Sequence, residues 1–174
     1  MHKSLERELV KKYPDLYKEY GGDITKTCMG WGMSCGDGWF KIIDELSADL
    51  SKYGVVAAQV KEKFGSLRFY LGGVDGDKYD EVYALIDKAG ALSAKTCESC
   101  GAPAEIKGQQ WRRCECDECE KKGDLFGKLQ SGDYLYKIIE PNQIVVFKDD
   151  EELFNGSMSD FIDTVKHHLR IRKV

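Results

Sequence analysis

Four of the seven cysteines stand in two C-x2-C pairs, Cys97 with Cys100 and Cys116 with Cys119, separated by residues 101–115. Each C-x2-C turn directs two thiolates at one centre, and this separation lies at the low end of zinc-ribbon spacings. A Zn²⁺ ion held by four thiolates is tetrahedral and closed, with no position left for water or a substrate. The spacing therefore predicts one structural zinc ion.

Two other chemistries use a C-x2-C pair, namely a redox-active thiol pair and a disulfide. A thioredoxin-like pair lies at a strand-to-helix junction of a βαβ unit, which the sequence around Cys97 and Cys116 does not predict. Clustered cysteines of intracellular proteins hold metal more often than they form disulfides. One alternative stays open, because Cys114 could replace a ribbon ligand; the role of a small buried side chain is favoured for it.

The two remaining cysteines, Cys28 and Cys35, lie in a glycine-rich loop over residues 23–38. Two thiols without a nearby histidine or second pair make a poor metal site, so packing is favoured over a second metal. The glycines Gly36 and Gly38 could present backbone N–H groups to an anion, but Asp37 between them is predicted to occupy that end as the N-cap of a helix.

The ribbon segment also carries Trp111, Arg112 and Arg113, an aromatic beside two cations, which suits base stacking with phosphate pairing. Residues 97–122 nevertheless contain nearly equal numbers of acidic and basic side chains, and the whole chain has a formal charge of -4. Since nucleic-acid binding rests on a basic surface, contact with another protein is the favoured role of the ribbon.

A second candidate site lies on a β-hairpin predicted over residues 55–72, around Gly65-Ser66 as a type II′ turn. That turn places Lys63 opposite Arg68 and puts Phe64 on the apolar face. The other face carries Lys61, Lys63, Arg68 and Tyr70. Like charges opposite each other invite an anion, either an acidic partner surface or a phosphate-bearing ligand. The alternatives are that acids elsewhere in the chain neutralise these cations, or that the cations simply solvate an exposed sheet face.

The elements that must position these sites predict an α+β fold, with helices on one face of an antiparallel hairpin-based sheet. Hydrophobic periodicity predicts helices over residues 3–20, 38–53 and 78–94. The apolar stripe predicted for the second helix consists of Trp39, Ile42, Ile43, Leu46, Leu50 and Tyr53. A hairpin with arms at residues 104–107 and 110–113 is predicted inside the ribbon. Strands over 134–139 and 144–148 and a helix from Ser157 form a predicted C-terminal ββα unit. The predicted domains are residues 1–95, the ribbon at 96–122, and 123–174.

Composition predicts a soluble, cytoplasmic protein, because the chain has no bilayer-spanning apolar run and no signal-peptide h-region at its start. It contains only three histidines. No nucleophile–base motif, P-loop, Rossmann fingerprint or zincin pattern is present, and a closed four-cysteine site cannot activate water. The sequence therefore predicts a binding protein and no enzymatic activity.

Two further stretches are distinctive, Cys35-Gly36-Asp37-Gly38-Trp39-Phe40 and the run from Gln59 to Tyr70. Together with the paired C-x2-C motifs they resemble a set of small, functionally uncharacterised proteins encoded by bacteriophages and prophages, over residues 28–119. The resemblance implies a bacterial cytoplasm and a phage accessory role. Small phage accessory proteins often bind and disable a host factor, so inhibition of a bacterial defence system is the first functional hypothesis. The alternatives are sequestration of an anionic nucleotide and nucleic-acid binding through the ribbon.

Overall fold

The computed structural model describes residues 1–121, 135–140, 143–148 and 151–165. The chain forms two compact units, Met1–Cys116 and Asp117–Val174. The first unit contains three α-helices and two two-stranded antiparallel sheets. Helices together with small antiparallel sheets confirm the predicted α+β class. The elements in chain order are α1 (Lys3–Lys12), α2 (Phe40–Leu50), β1 (Ala57–Lys63), β2 (Ser66–Leu71), α3 (Tyr79–Ser93), β3 (Glu105–Lys107) and β4 (Arg113–Glu115).

One apolar core holds the first unit together. Helix α2 buries the side chains predicted for its stripe, Ile42, Ile43, Leu46 and Leu50. The sheet β1-β2 supplies Val60, Leu67 and Phe69 from one face, as alternation requires. Trp39, which comes just before α2, is fully buried, as its place on the stripe predicts.

The end of α1 and the start of α2 differ from the prediction. The helix predicted to run to residue 20 ends at Lys12, and residues 14–21 form turns. Pro14 accounts for this, because a proline disfavours the helical conformation of the residue before it. Asp37 does not cap α2: it begins a 3₁₀ turn, and its Oδ1 accepts a 2.6 Å hydrogen bond from the His2 backbone N–H.

The β1-β2 hairpin turns one residue earlier than predicted. Its two loop residues are Phe64 (φ 58°) and Gly65 (φ 79°), and positive φ at both positions belongs to a type I′ turn. The Glu62 carboxylate accepts a 2.6 Å hydrogen bond from the Gly65 N–H and so fixes this turn. Arg68 consequently lies opposite Lys61, and Lys63 lies opposite Ser66.

From Val60 towards the turn and back to Tyr70, the side chains stay on their predicted faces, because the pairing shifts by two residues. Before Val60 the pairing is irregular between Ala57 and Gln59, and Ala57 is buried in place of Ala58, which was predicted for the apolar face. Lys61, Lys63, Arg68 and Tyr70 share the face away from the core. Phe64 is the exception: as a turn residue it is 58% exposed and does not join the apolar face.

In the second unit residues 117–121 are helical, and a three-stranded antiparallel sheet follows, in the order β5 (Leu135–Glu140), β6 (Gln143–Lys148) and β7 (Glu151–Ser157). The predicted ββα unit missed β7, whose Glu151-Glu152 start and Asn155-Gly156 pair are poor strand formers. Among the described residues, no helix combines the length and the apolar character needed to cross a membrane. The helix after β7 is α4 (Met158–Val165).

Candidate metal centre

The sulfur atoms of Cys97, Cys100, Cys116 and Cys119 lie within 4.8 Å of one another. The Sγ atoms of Cys100 and Cys116 are 3.7 Å apart, too far for a disulfide bond, and none of the four cysteines forms a disulfide. A tetrahedral ion with metal–sulfur bonds of about 2.3 Å separates its sulfurs by about 3.8 Å. The four cysteines can therefore hold one metal ion, which confirms the cluster predicted from their spacing.

The first pair is shaped by a tight turn of the backbone. The Gly101 N–H donates to the Cys97 carbonyl at 2.9 Å, and the Cys97 N–H donates to the Ala102 carbonyl at 2.7 Å. Gly101 has φ 81°, a conformation that a residue with a side chain rarely adopts. This turn directs the two sulfurs of the pair to the same side.

A short hairpin joins the two cysteine pairs of the ribbon. Its strands pair Glu105 with Glu115, Ile106 with Cys114, and Lys107 with Arg113. The second strand therefore begins at residue 113, three residues after the predicted start at residue 110. Gly108 and the residues after it form the connecting loop. The Glu98 N–H donates to the Cys114 carbonyl at 2.8 Å and ties the first pair to β4.

The backbone of Gly36-Asp37-Gly38 packs directly against the first cysteine pair. The Gly38 N–H donates to the Glu98 carbonyl, and the Gly36 N–H donates to the Glu98 carboxylate, each at 2.8 Å. A Cβ atom at Gly38 would overlap the Cys97 carbonyl oxygen and the Gly101 nitrogen. Gly36 and Gly38 therefore form the backbone surface, here called the seat, on which the first cysteine pair packs. The anionic group that accepts the hydrogen bond of the Gly36 N–H is the Glu98 carboxylate of the same protein.

A hydrogen bond from Trp39 adds to this contact. The Trp39 indole donates from Nε1 to the Thr96 carbonyl at 2.8 Å, immediately before the first ligand. Burial raises the pKa of the Glu98 carboxyl, and the hydrogen bond from the Gly36 N–H opposes that rise. The sequence singled out the Cys35–Phe40 stretch but missed its partner Glu98, since nothing local signals a contact 62 residues away.

Cys114 lies outside the four-sulfur grouping. Its side chain is buried in the core opposite Ile106, and burial raises the pKa of its thiol. Cys35 is likewise buried, with its pKa raised to about 12, whereas Cys28 is exposed. In the described part of the chain, the four ribbon cysteines are the one set of three or more potential ligands that come together.

The outward face of the β1-β2 hairpin carries an aromatic–cationic strip, defined as Lys61, Lys63, Phe64, Arg68 and Tyr70. The Lys61 Nζ lies 5.5 Å from the centre of the Tyr70 ring, and the Lys63 Nζ lies 5.0 Å from that of Phe64. Tyr70 is 44% exposed. Among the described residues, no carboxylate forms an ion pair with the three cations.

The strip and the ribbon touch at the hairpin turn. A Cβ atom at Gly65 would lie 2.9 Å from Cγ2 of Ile106, so the turn rests on β3. The other three predicted binding residues, Trp111, Arg112 and Arg113, lie at the far end of the ribbon hairpin and are exposed. The predicted partner-binding residues therefore form two groups, one on β1-β2 and one on the ribbon.

Comparison with known proteins gives no relative: no protein-family model matches this chain, and neither the curated proteins nor the solved structures provide a match.

Proposed function

We propose that this protein is a non-enzymatic binding protein whose aromatic–cationic strip contacts an acidic surface of another protein. In this proposal a structural zinc ion holds the ribbon beneath the strip. One observation supports a binding role for the strip. Its three cations form no ion pair with a carboxylate of the described residues, and they lie beside two exposed aromatic rings. Tyrosine and arginine are enriched among the residues that dominate binding energy at protein interfaces.

Zinc is the proposed metal because four thiolates form the ligand set that soft thiolate-binding ions prefer, and because cytoplasmic C-x2-C pairs usually hold zinc. The protein supplies all four ligands, so the ion has no open position for chemistry. Its role is to hold the two cysteine pairs together and to keep β3 under the Gly65 turn.

A macromolecular partner fits the strip better than a small ligand does. Small molecules bind in concave sites that bury most of their surface. The strip lies along one face of two strands, with Tyr70 at one end, the Lys61–Arg68 pair in the middle and Phe64 at the turn. Adjacent residues on one face of a strand are about 7 Å apart, so the strip offers successive contacts along a line.

The cellular setting of the proposal comes from the resemblance to phage and prophage proteins over residues 28–119. On that basis the partner is a host protein of the bacterial cytoplasm, and a component of a bacterial defence system is the first candidate. Sequestration of an anionic nucleotide by the same cations is the alternative function.

Charge reversal in the strip tests the proposal. Wild-type protein on a resin is expected to retain a discrete protein from bacterial lysate, and Lys61→Glu/Arg68→Glu is expected to retain it at least about tenfold less, because like charges then face each other across the interface. The matched control is Lys11→Glu/Lys18→Glu, which changes the net charge equally at two exposed lysines outside the strip.

The retained protein is then purified and its affinity for each variant is measured by calorimetry. Equal loss of affinity in the control variant would mean that overall charge, and not the strip, governs binding. A thermal shift of the wild type with mono-, di- or cyclic nucleotides, abolished in Lys61→Glu/Arg68→Glu, would favour the nucleotide alternative instead.

A further inference from the structure

The charges of the ribbon are separated along its length. Its outward face pairs Glu105 with Glu115 near the metal ligands and Lys107 with Arg113 at the opposite end. Arg112 adds a third cation beside that second pair. The near balance of acids and bases over the whole ribbon therefore conceals a positive end, here called the ribbon tip (residues 107–113).

The ribbon tip presents one large aromatic side chain to solvent. Trp111 is 85% exposed, more than any other large hydrophobic residue that the structure describes. Gly108 has φ 87°, and a Cβ atom there would overlap the Trp111 carbonyl oxygen. This close approach makes the loop tight and fixes the backbone from which Trp111 projects.

The surroundings of Trp111 are polar. Its neighbours Gln109, Gln110 and Arg112 are all exposed. The dominant side chains of a protein interface usually lie in an apolar centre that their neighbours seal from water. An isolated aromatic ring among amides and cations instead matches the stacking platforms of proteins that bind single-stranded nucleic acid, where bases stack and cations follow the phosphates.

We propose that the ribbon tip binds single-stranded nucleic acid, with a base stacked on Trp111 and phosphates near Arg112 and Arg113. Stacking on an indole does not distinguish the bases, so binding is independent of sequence. Two cations at phosphates give a plot of log K against log salt concentration with a slope of about −1.4. This site is separate from the strip and does not depend on the protein partner proposed above.

Fluorescence anisotropy with labelled oligo(dT) and oligo(rU) of about 12 nucleotides tests the site, since single-strand sites commonly span about 4–16 nucleotides. At about 50 mM salt the wild type is expected to bind with Kd of about 10⁻⁴–10⁻⁶ M. Trp111→Ala is expected to weaken binding by one to two orders of magnitude, and Arg112→Glu/Arg113→Glu is expected to abolish it. Trp111→Phe keeps a ring and should retain most of the affinity.

Three controls make the result decisive. Trp31→Ala removes another exposed tryptophan, 69% exposed and outside the ribbon, and should leave oligonucleotide binding unchanged. Lys61→Glu/Arg68→Glu should also bind normally, which separates this site from the strip. Each variant is checked for one bound zinc per chain. No binding by the wild type at low salt, or equal losses in Trp111→Ala and Trp31→Ala, would overturn the proposal.

Discussion

Replacement of Cys97 by serine is expected to release the metal and to lower the melting temperature by about 10 °C or more, which corresponds to a few kcal/mol for a unit of this size. Cys97 is fully buried and belongs to the tight turn that packs on the seat formed by Gly36 and Gly38. The strands of the ribbon hairpin have three residues each. Because a two-stranded hairpin is at best marginally stable in water, we expect the ribbon to depend on the proposed zinc ion to stay folded.

Circular dichroism melting and metal analysis of the same samples check this expectation. Cys28→Ser is the matched control, because it removes an exposed thiol outside the four-sulfur grouping and should change neither the zinc content nor the melting temperature. A strong chelator applied to the wild type should reproduce the Cys97→Ser melting curve. A Cys97→Ser protein that kept one zinc and melted like the wild type would refute the structural role.

Gly38→Ala is expected to destabilise the first unit by about 3 kcal/mol or more, the upper end of the range for overpacked sites. The added methyl group would overlap two backbone atoms of the first cysteine pair, the Cys97 oxygen and the Gly101 nitrogen. Backbone atoms cannot rotate aside as a side chain does, so the whole ribbon must move. That movement also breaks the 2.8 Å hydrogen bond from the Gly38 N–H to Glu98.

Urea unfolding measures the stability change, and the rate of zinc transfer to a coloured chelator measures the effect on the metal site. Zinc transfer from Gly38→Ala should be faster than from the wild type. Gly73→Ala is the control, since a Cβ atom at Gly73 has no neighbour within 4 Å and is expected to change stability by less than about 0.5 kcal/mol. Unchanged stability and zinc transfer in Gly38→Ala would show that the seat does not support the ribbon.

The features that sequence predicted well are local ones. The two C-x2-C pairs converge because each pair is a single turn, and the stripe of α2 follows from helical periodicity alone. The hairpin turn was mispredicted because its first loop residue is Phe64 at φ 58°, a conformation that bulky residues rarely adopt. The sequence pattern favoured Gly65 as the first loop residue, whereas the Glu62 carboxylate stabilises the turn in which Gly65 is the second.

The contacts that sequence could not predict join distant parts of the chain. Gly36 and Glu98 meet across 62 residues, and no spacing rule connects them. The charge pattern of the ribbon was hidden for a similar reason, because a count of acids and bases carries no information about strand register. Pairing Lys107 with Arg113 and Glu105 with Glu115 separates the two signs, and this separation supports the ribbon tip as a second binding site.

X-ray absorption at the zinc edge of the purified protein, together with metal analysis, tests the central claim most directly. The account predicts one zinc ion per chain and a first shell of four sulfurs at about 2.3 Å. The spectrum of Cys114→Ala should be unchanged, because its thiol lies outside the grouping. A shell containing nitrogen or oxygen, a spectrum altered in Cys114→Ala, or a protein that binds no zinc would contradict the account.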